Sequence, residues 1–129
     1  MMNNARLDSI IRSLGSLEEG QPGYWRFEFK ERIVLVLTDE SHNRMRIITP
    51  VVEATEIGEE IWLMALSANF DRALDARYAI NGDYLWSAFI HPLKELSEAQ
   101  FEDGLDQVVT LASNFGTSFA STDLQFGGQ

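Results

Sequence analysis

Leu7, Ile10, Ile11 and Leu14 recur at i, i+3, i+4 and i+7, with Asp8, Ser9, Arg12 and Ser13 between them. That spacing predicts an amphipathic helix with one apolar stripe, capped by Asn3 or Asn4 and stopped at Gly15. The stretch "SLEEGQPG" after it has no periodicity and many turn residues, and reads as a loop. In "YWRFEFK" the period changes to two: Trp25, Phe27 and Phe29 alternate with Tyr24, Arg26, Glu28 and Lys30, the pattern of a half-buried strand. A tight turn at Lys30-Glu31 leads into "RIVLVLT", whose unbroken apolar run predicts a strand buried on both faces. The polar connector "DESHN" precedes a third strand, "RMRIIT", closed by Pro50 because proline cannot donate to a ladder.

The next segment behaves differently. Eight of the ten residues from Ile61 to Phe70 are apolar. At about 100° per residue, Ile61, Met64, Ala65 and Ala68 share one face of a helix over 58–70. Leu63, Leu66 and Phe70 lie roughly opposite, with Trp62 between. A surface helix needs one apolar stripe, so a second one calls for a second cover. After it, Asn81-Gly82 between "RYAI" and "YLWSAFI" signals a hairpin whose second strand is largely apolar on both faces. "HPLKEL" breaks that strand. Ser97 and Gln100 form a candidate capping box for a long amphipathic helix carrying Phe101, Leu105, Val108, Ala112 and Phe115.

The order α-β-β-β-α-β-β-α predicts an α+β domain over 1–115, with an antiparallel-rich five-stranded sheet and three helices to cover its two faces. The segment "GTSFASTDLQFGGQ" (116–129) loses periodicity and reads as a loosely held tail.

Composition narrows the function. The chain has 129 residues, a net charge of -10 and no cysteine. Such acidity repels nucleic-acid backbones and anionic lipid, and a thiolate nucleophile, disulfide or Cys-ligated zinc is impossible. No basic segment followed by an apolar run marks a signal peptide, and no apolar window approaches the length of a membrane span, so a cytoplasmic location is expected. His42 lies in a polar turn beside Asp39 and Glu40, where contiguous loop residues do not converge on a metal. His91 precedes Pro92 with no acidic partner nearby in sequence. There is no nucleophile elbow, phosphate-binding loop or dinucleotide fingerprint, and Glu59-Glu60 read as charges suited to a helix N-terminus. No catalytic residue, metal or cofactor is expected. The aromatic residues read mainly as core, and Trp62, Leu63, Leu66 and Phe70 stand out as anchors for a second copy of the chain, the alternative cover being the first or last helix or the C-terminal tail of the same chain.

Several stretches resemble the class I type III secretion chaperones of the CesT type and the broader YbjN group. "LMALSANF", with Leu63, Leu66 and Asn69, is similar to that family's "LLxxN" helix end. "INGDYLWSAFIHPLKELSEAQFEDGLDQVV" is similar to its strand pair, Pro-Leu strand exit and Leu-Ser helix start, with Pro92, Leu93 and Leu96 in the pattern. The resemblance covers about residues 4–115 and rests on packing positions. It implies a small, acidic, non-enzymatic homodimer in which the middle helix contributes to the dimer contact. It further implies that an extended apolar segment of a partner protein is bound by strand addition beside the first helix (Leu7, Ile11, Leu14) and first strand (Trp25, Phe27). The alternative is a regulatory or small-ligand domain of the YbjN type, with a pocket between sheet and helices lined by Trp25 and Trp86.

Overall fold

The computed structural model describes residues 1–122. Its elements run α1 (Asn4–Ser13), β1 (Leu17–Gln21), β2 (Tyr24–Phe29), β3 (Arg32–Asp39), β4 (Arg44–Glu53), a 3₁₀ turn (Ala54–Glu56), α2 (Glu59–Asp71), β5 (Arg77–Asn81), β6 (Tyr84–His91) and α3 (Glu98–Ser113). The strands form one sheet in the order β1-β2-β3-β4-β6-β5, and every neighbouring pair is antiparallel.

The sheet has six strands rather than the five expected, because "SLEEGQPG" is not a loop. Leu17–Gln21 pairs with β2, and Pro22-Gly23 closes the hairpin with Gly23 at φ +94°. Proline followed by a glycine at positive φ is the chemistry of a type II turn. The strand is hidden in the sequence because its residues after Leu17 are Glu18, Glu19, Gly20 and Gln21. A register shift between Leu17 and Glu19 breaks what alternation there is. Its partner supplies the order: Arg26 Nε lies 3.3 Å from Glu18 Oε1 and its Nη2 3.8 Å from Glu19 Oε1.

Two further expectations shift. Pro50 does not end its strand, which continues to Glu53 through an irregularity between Pro50 and Val52. Pairing with β3 stops at Ile48, so beyond that point β4 is paired with β6 and the missing proline N–H orphans no acceptor on β3. The β5–β6 hairpin forms as expected, but Asn81 is still strand and the turn is Gly82-Asp83, with Gly82 at φ +63°. Glycine at the first central position fits a type II′ turn. The turn at Lys30-Glu31 stands as read. Both residues have positive φ, the primed geometry that suits strand twist, and Lys30 Nζ reaches Asp106 Oδ1 at 2.8 Å.

The largest difference concerns layers. Inward positions of the central strands are buried: Trp25 and Phe27, Val34 and Val36, Met45, Ile47 and Thr49, Leu85, Ser87 and Phe89. All three helices lie on that side. Asp8 of α1 accepts from Trp25 Nε1 at 3.0 Å, Ser87 Oγ of β6 donates to the Val108 carbonyl of α3 at 2.8 Å, and α2 flanks Tyr78 and Ile80 of β5. The helix α3 sits so close to the sheet that a Cβ at Gly104 would lie 2.8 Å from the Phe89 ring. No outward residue of β2, β3, β4 or β6 is buried. β3, expected to be covered twice, is covered once, and the same holds for β6.

Ser97 Oγ accepts from the Gln100 N–H at 3.0 Å, and Gln100 Oε1 accepts from the Ser97 N–H at 2.8 Å, the reciprocal capping box expected from sequence. Part of the segment expected to be a loose tail is well packed. Phe119, Ala120 and Ser121 are buried, Leu74 N–H donates to Ser121 Oγ at 2.7 Å, and Phe119 stacks edge-on with Tyr78 and Phe115. The rest of that tail, 123–129, lies outside the described residues.

Candidate functional site

The helix α2 is short of inward anchors. Its buried residues are Ala65 and Ala68 alone, with Ile61 and Trp62 half-buried. Small residues on the inner face let the helix backbone approach β5, and Asn69 uses that proximity. Its Nδ2 donates to the Tyr78 carbonyl at 3.0 Å and its Oδ1 accepts the Tyr78 N–H at 2.8 Å. A side-chain amide thus takes the place of a neighbouring strand on the free edge of β5. Tyr78 is pinned at its other end by donating from its hydroxyl to the Leu111 carbonyl at 2.8 Å, and burial pushes its phenol pKa up.

The opposite face of α2 is bare. Leu63 is 61% exposed, Leu66 64% and Phe70 83%, and Met64 joins them. Next to this face Trp62, Leu66 and Ile80 line an apolar groove of about 430 Å³ running over the β5 edge, where Ile80 is also exposed. Nothing among the described residues covers it, neither α1, α3 nor the described part of the tail. Exposed apolar surface this concentrated is rarely left facing water.

The second region lies at the opposite edge of the sheet. A groove of about 640 Å³ runs between α1 (Asn4, Ala5, Asp8, Arg12) and β1 (Gly20, Gln21), with Trp25 at its base. Asp8 ties its wall together, accepting from Arg12 Nε at 2.8 Å and from Trp25 Nε1; these bonds, Arg12 first, hold its carboxyl below the ordinary aspartate pKa. Of the residues expected to flank a client groove here, Leu7, Ile11, Trp25 and Phe27 are fully buried and belong to the core, while Leu14 is half-buried. The location expected from sequence thus coincides with a real groove, but its exposed wall is made by their polar neighbours. Sequence alternation could not separate lining from core, because both occupy the same period.

Trp25 and Trp86 do not share a pocket. Trp25 points into the helix-covered side and Trp86 to the open side, its Nε1 donating to the Asn81 carbonyl at 3.0 Å. Neither histidine sits in a reactive arrangement. His42 Nδ1 is 2.8 Å from Asp39 Oδ2 on an exposed turn. Hydrogen bonds from Ser41 and then His42 lower the Asp39 pKa to about 2. His91 Nδ1 lies 2.8 Å from the Pro92 carbonyl and its ring stacks on Phe89. Among the described residues no cluster of His, Asp or Glu is arranged to hold a metal ion, and no helix is long and apolar enough to cross a membrane.

No family model matches the sequence, and no curated protein matches it. Solved structures do. A chain of the ExsC–ExsE complex aligns at TM-score 0.67 with 17% identity, covering 99% of this chain and 100% of that one. A chain of the HopA1–SchA chaperone–effector complex aligns at 0.65 with 14% identity, covering 84% and 88%. A third match is a chain from the Yersinia pestis type III secretion chaperone SycH in complex with a stable fragment of YscM2. It aligns at 0.63 with 16% identity over 88% and 98%. The fold of this chain is therefore type III secretion chaperone-like.

Proposed function

We propose that this protein is a non-enzymatic, chaperone-like binding module that pairs with a second copy of itself and holds an extended apolar segment of a partner protein. The observation that carries the reading is the bare face of α2. Leu63, Leu66 and Phe70 with Trp62 make an anchor set in which aromatic and long aliphatic side chains would be desolvated by a twin helix. Its site would be the cytoplasm, where the net charge of -10 keeps an assembly with an apolar client dispersed. The matched structures contain chaperones in complex with partner proteins, which supports a protein client.

The client would enter at the α1–β1 groove. Strand addition requires an edge with free N–H and C=O groups, beside pockets for alternate side chains. Of the two sheet edges, β5 is stoppered by Asn69 and flanked by α2, whereas β1 borders the open groove. The test is amide hydrogen exchange of the full chain mixed with a synthetic peptide of alternating Leu and Thr. Protection is expected in β1, with a shift of the Trp25 indole resonance. Protection confined to β5, or none, would contradict this assignment.

Asn69 gives a separate expectation. Asn69→Ala removes two hydrogen bonds, each contributing about 1 kcal/mol net, and frees an N–H and a C=O on β5. Amide exchange at Tyr78 should accelerate at least about fivefold, with larger oligomers appearing at high concentration. Unchanged Tyr78 exchange would mean that another group closes this edge.

A further inference from the structure

The two buried residues of α2 are alanines, whereas α1 buries Leu7 and Ile11, and α3 buries Phe101, Leu105 and Leu111 among others. What holds the C-terminal end of α2 is a strap, residues 115–121, that leaves α3 and runs back to it. Arg72 Nη1 donates to the Ser118 carbonyl at 3.3 Å, and Ser121 N–H donates to the Arg72 carbonyl at 3.2 Å. In the turn after α2, Leu74 N–H donates to Ser121 Oγ at 2.7 Å. Phe119 is the hub of the strap. Its ring meets Tyr78 and Phe115 edge-on, and Tyr78 is the residue whose backbone Asn69 of α2 grips. Phe119 also has φ +56°, a left-handed conformation that is costly for a bulky aromatic residue. Asn114 holds it there: its carbonyl accepts from Phe119 N–H at 2.9 Å, and its Nδ2 donates to the Ala120 carbonyl at 2.8 Å. Against α2 the fit is looser, because Phe119, Met64, Ala68 and Arg72 line a cavity of about 190 Å³. Backbone strain of this kind persists only where its surroundings over-determine it, so the strap docks or undocks as a unit.

We propose that the strap is a latch on α2. Docked, it holds the helix where Leu63, Leu66 and Phe70 can pair with a second copy; undocked, it lets the helix shift and weakens self-association. The second half of this statement rests on the reading of that face as a contact between copies. The strap meets the flank of α2 that carries Met64, across the helix from Leu66 and its groove. It therefore acts through the position of the helix. Coupling of this kind is reciprocal, so pairing at α2 tightens the strap in turn.

Native-state amide exchange of the full chain tests the hold on α2, because a substitution speeds exchange only through openings that break its contacts. Phe119→Ala should speed the amides of residues 66–71 and of Tyr78 at least about fivefold, and Ser121→Ala about twofold. Val34→Ala, in the buried centre of β3, should leave those amides unchanged. No acceleration in Phe119→Ala would overturn the proposal, since α2 would then open without the strap. Equal acceleration in Val34→Ala would overturn it too, since α2 would open only with the whole domain. Self-association is the second readout. Phe119→Asp puts a carboxylate among the aromatic rings and undocks the strap, and sedimentation velocity should show association at least about tenfold weaker. In the unmodified chain, Ser121 N–H exchange should slow as concentration rises and copies pair. Unchanged association in Phe119→Asp, or a Ser121 rate indifferent to pairing, would refute the coupling. A chain that stays monomeric at every concentration would remove the pairing half alone, and the exchange comparison would still decide whether the strap holds α2.

Discussion

If a second copy pairs on α2 as proposed, replacing Leu66 and Phe70 together with glutamate should leave the chain folded and separate the dimer into monomers. Both side chains are mostly in water within one chain, so substitution removes little intramolecular packing. Stability within one chain should stay within about 0.5 kcal/mol of the parent, as for other surface changes. At a desolvated helix–helix contact the same changes act very differently. Interface anchors commonly contribute about 2 kcal/mol or more each, and a buried unpaired carboxylate adds to the loss. The pair together should weaken self-association about a thousandfold. Sedimentation velocity with circular dichroism separates the outcomes. Monomers with native dichroism fit the account, whereas an unfolded variant would place these residues in a core.

Trp25→Ala produces the opposite pattern, a large loss of stability. The residue is completely buried between α1 and the sheet, and its indole N–H is satisfied by Asp8. Removing it leaves a cavity beneath the groove, and Trp→Ala changes at such sites cost about 3–5 kcal/mol. In a domain stabilised by about 5–15 kcal/mol, that is a fifth or more of the total. The thermal midpoint should fall by about 10 °C or more, followed by calorimetry. A midpoint within two or three degrees (about 1 kcal/mol) of the parent would mean that Trp25 acts at the groove surface rather than in the core.

The contrast between these residues marks how far sequence pattern carries. Period and caps gave every helix: Leu7 and Ile11 are buried, Asn3 accepts from Arg6 N–H as an N-cap, and Ser97 and Gln100 form their box. They also gave the α2 residues that need a cover, because an apolar residue on the wrong side of a wheel is visible without coordinates. Strand β1 escaped because an edge strand, polar on both faces, has no hydrophobic period. It is specified by Arg26 across the ladder and by a Pro-Gly turn. The one-sided placement of the helices escaped for another reason. Alternation in β3 and β6 says that both faces are apolar, yet nothing local says which face the helices will choose. Asn69 as the stopper of β5 was out of reach too, since it depends on a helix and a strand meeting nine residues apart.

The central claim, that a second copy covers α2, is tested most directly by the molar mass of the unmodified chain in solution. Size-exclusion chromatography with light scattering at low micromolar concentration should give a value near twice 14.6 kDa. A single species at 14.6 kDa would contradict the account and leave Leu63, Leu66 and Phe70 without the twin helix assigned to them.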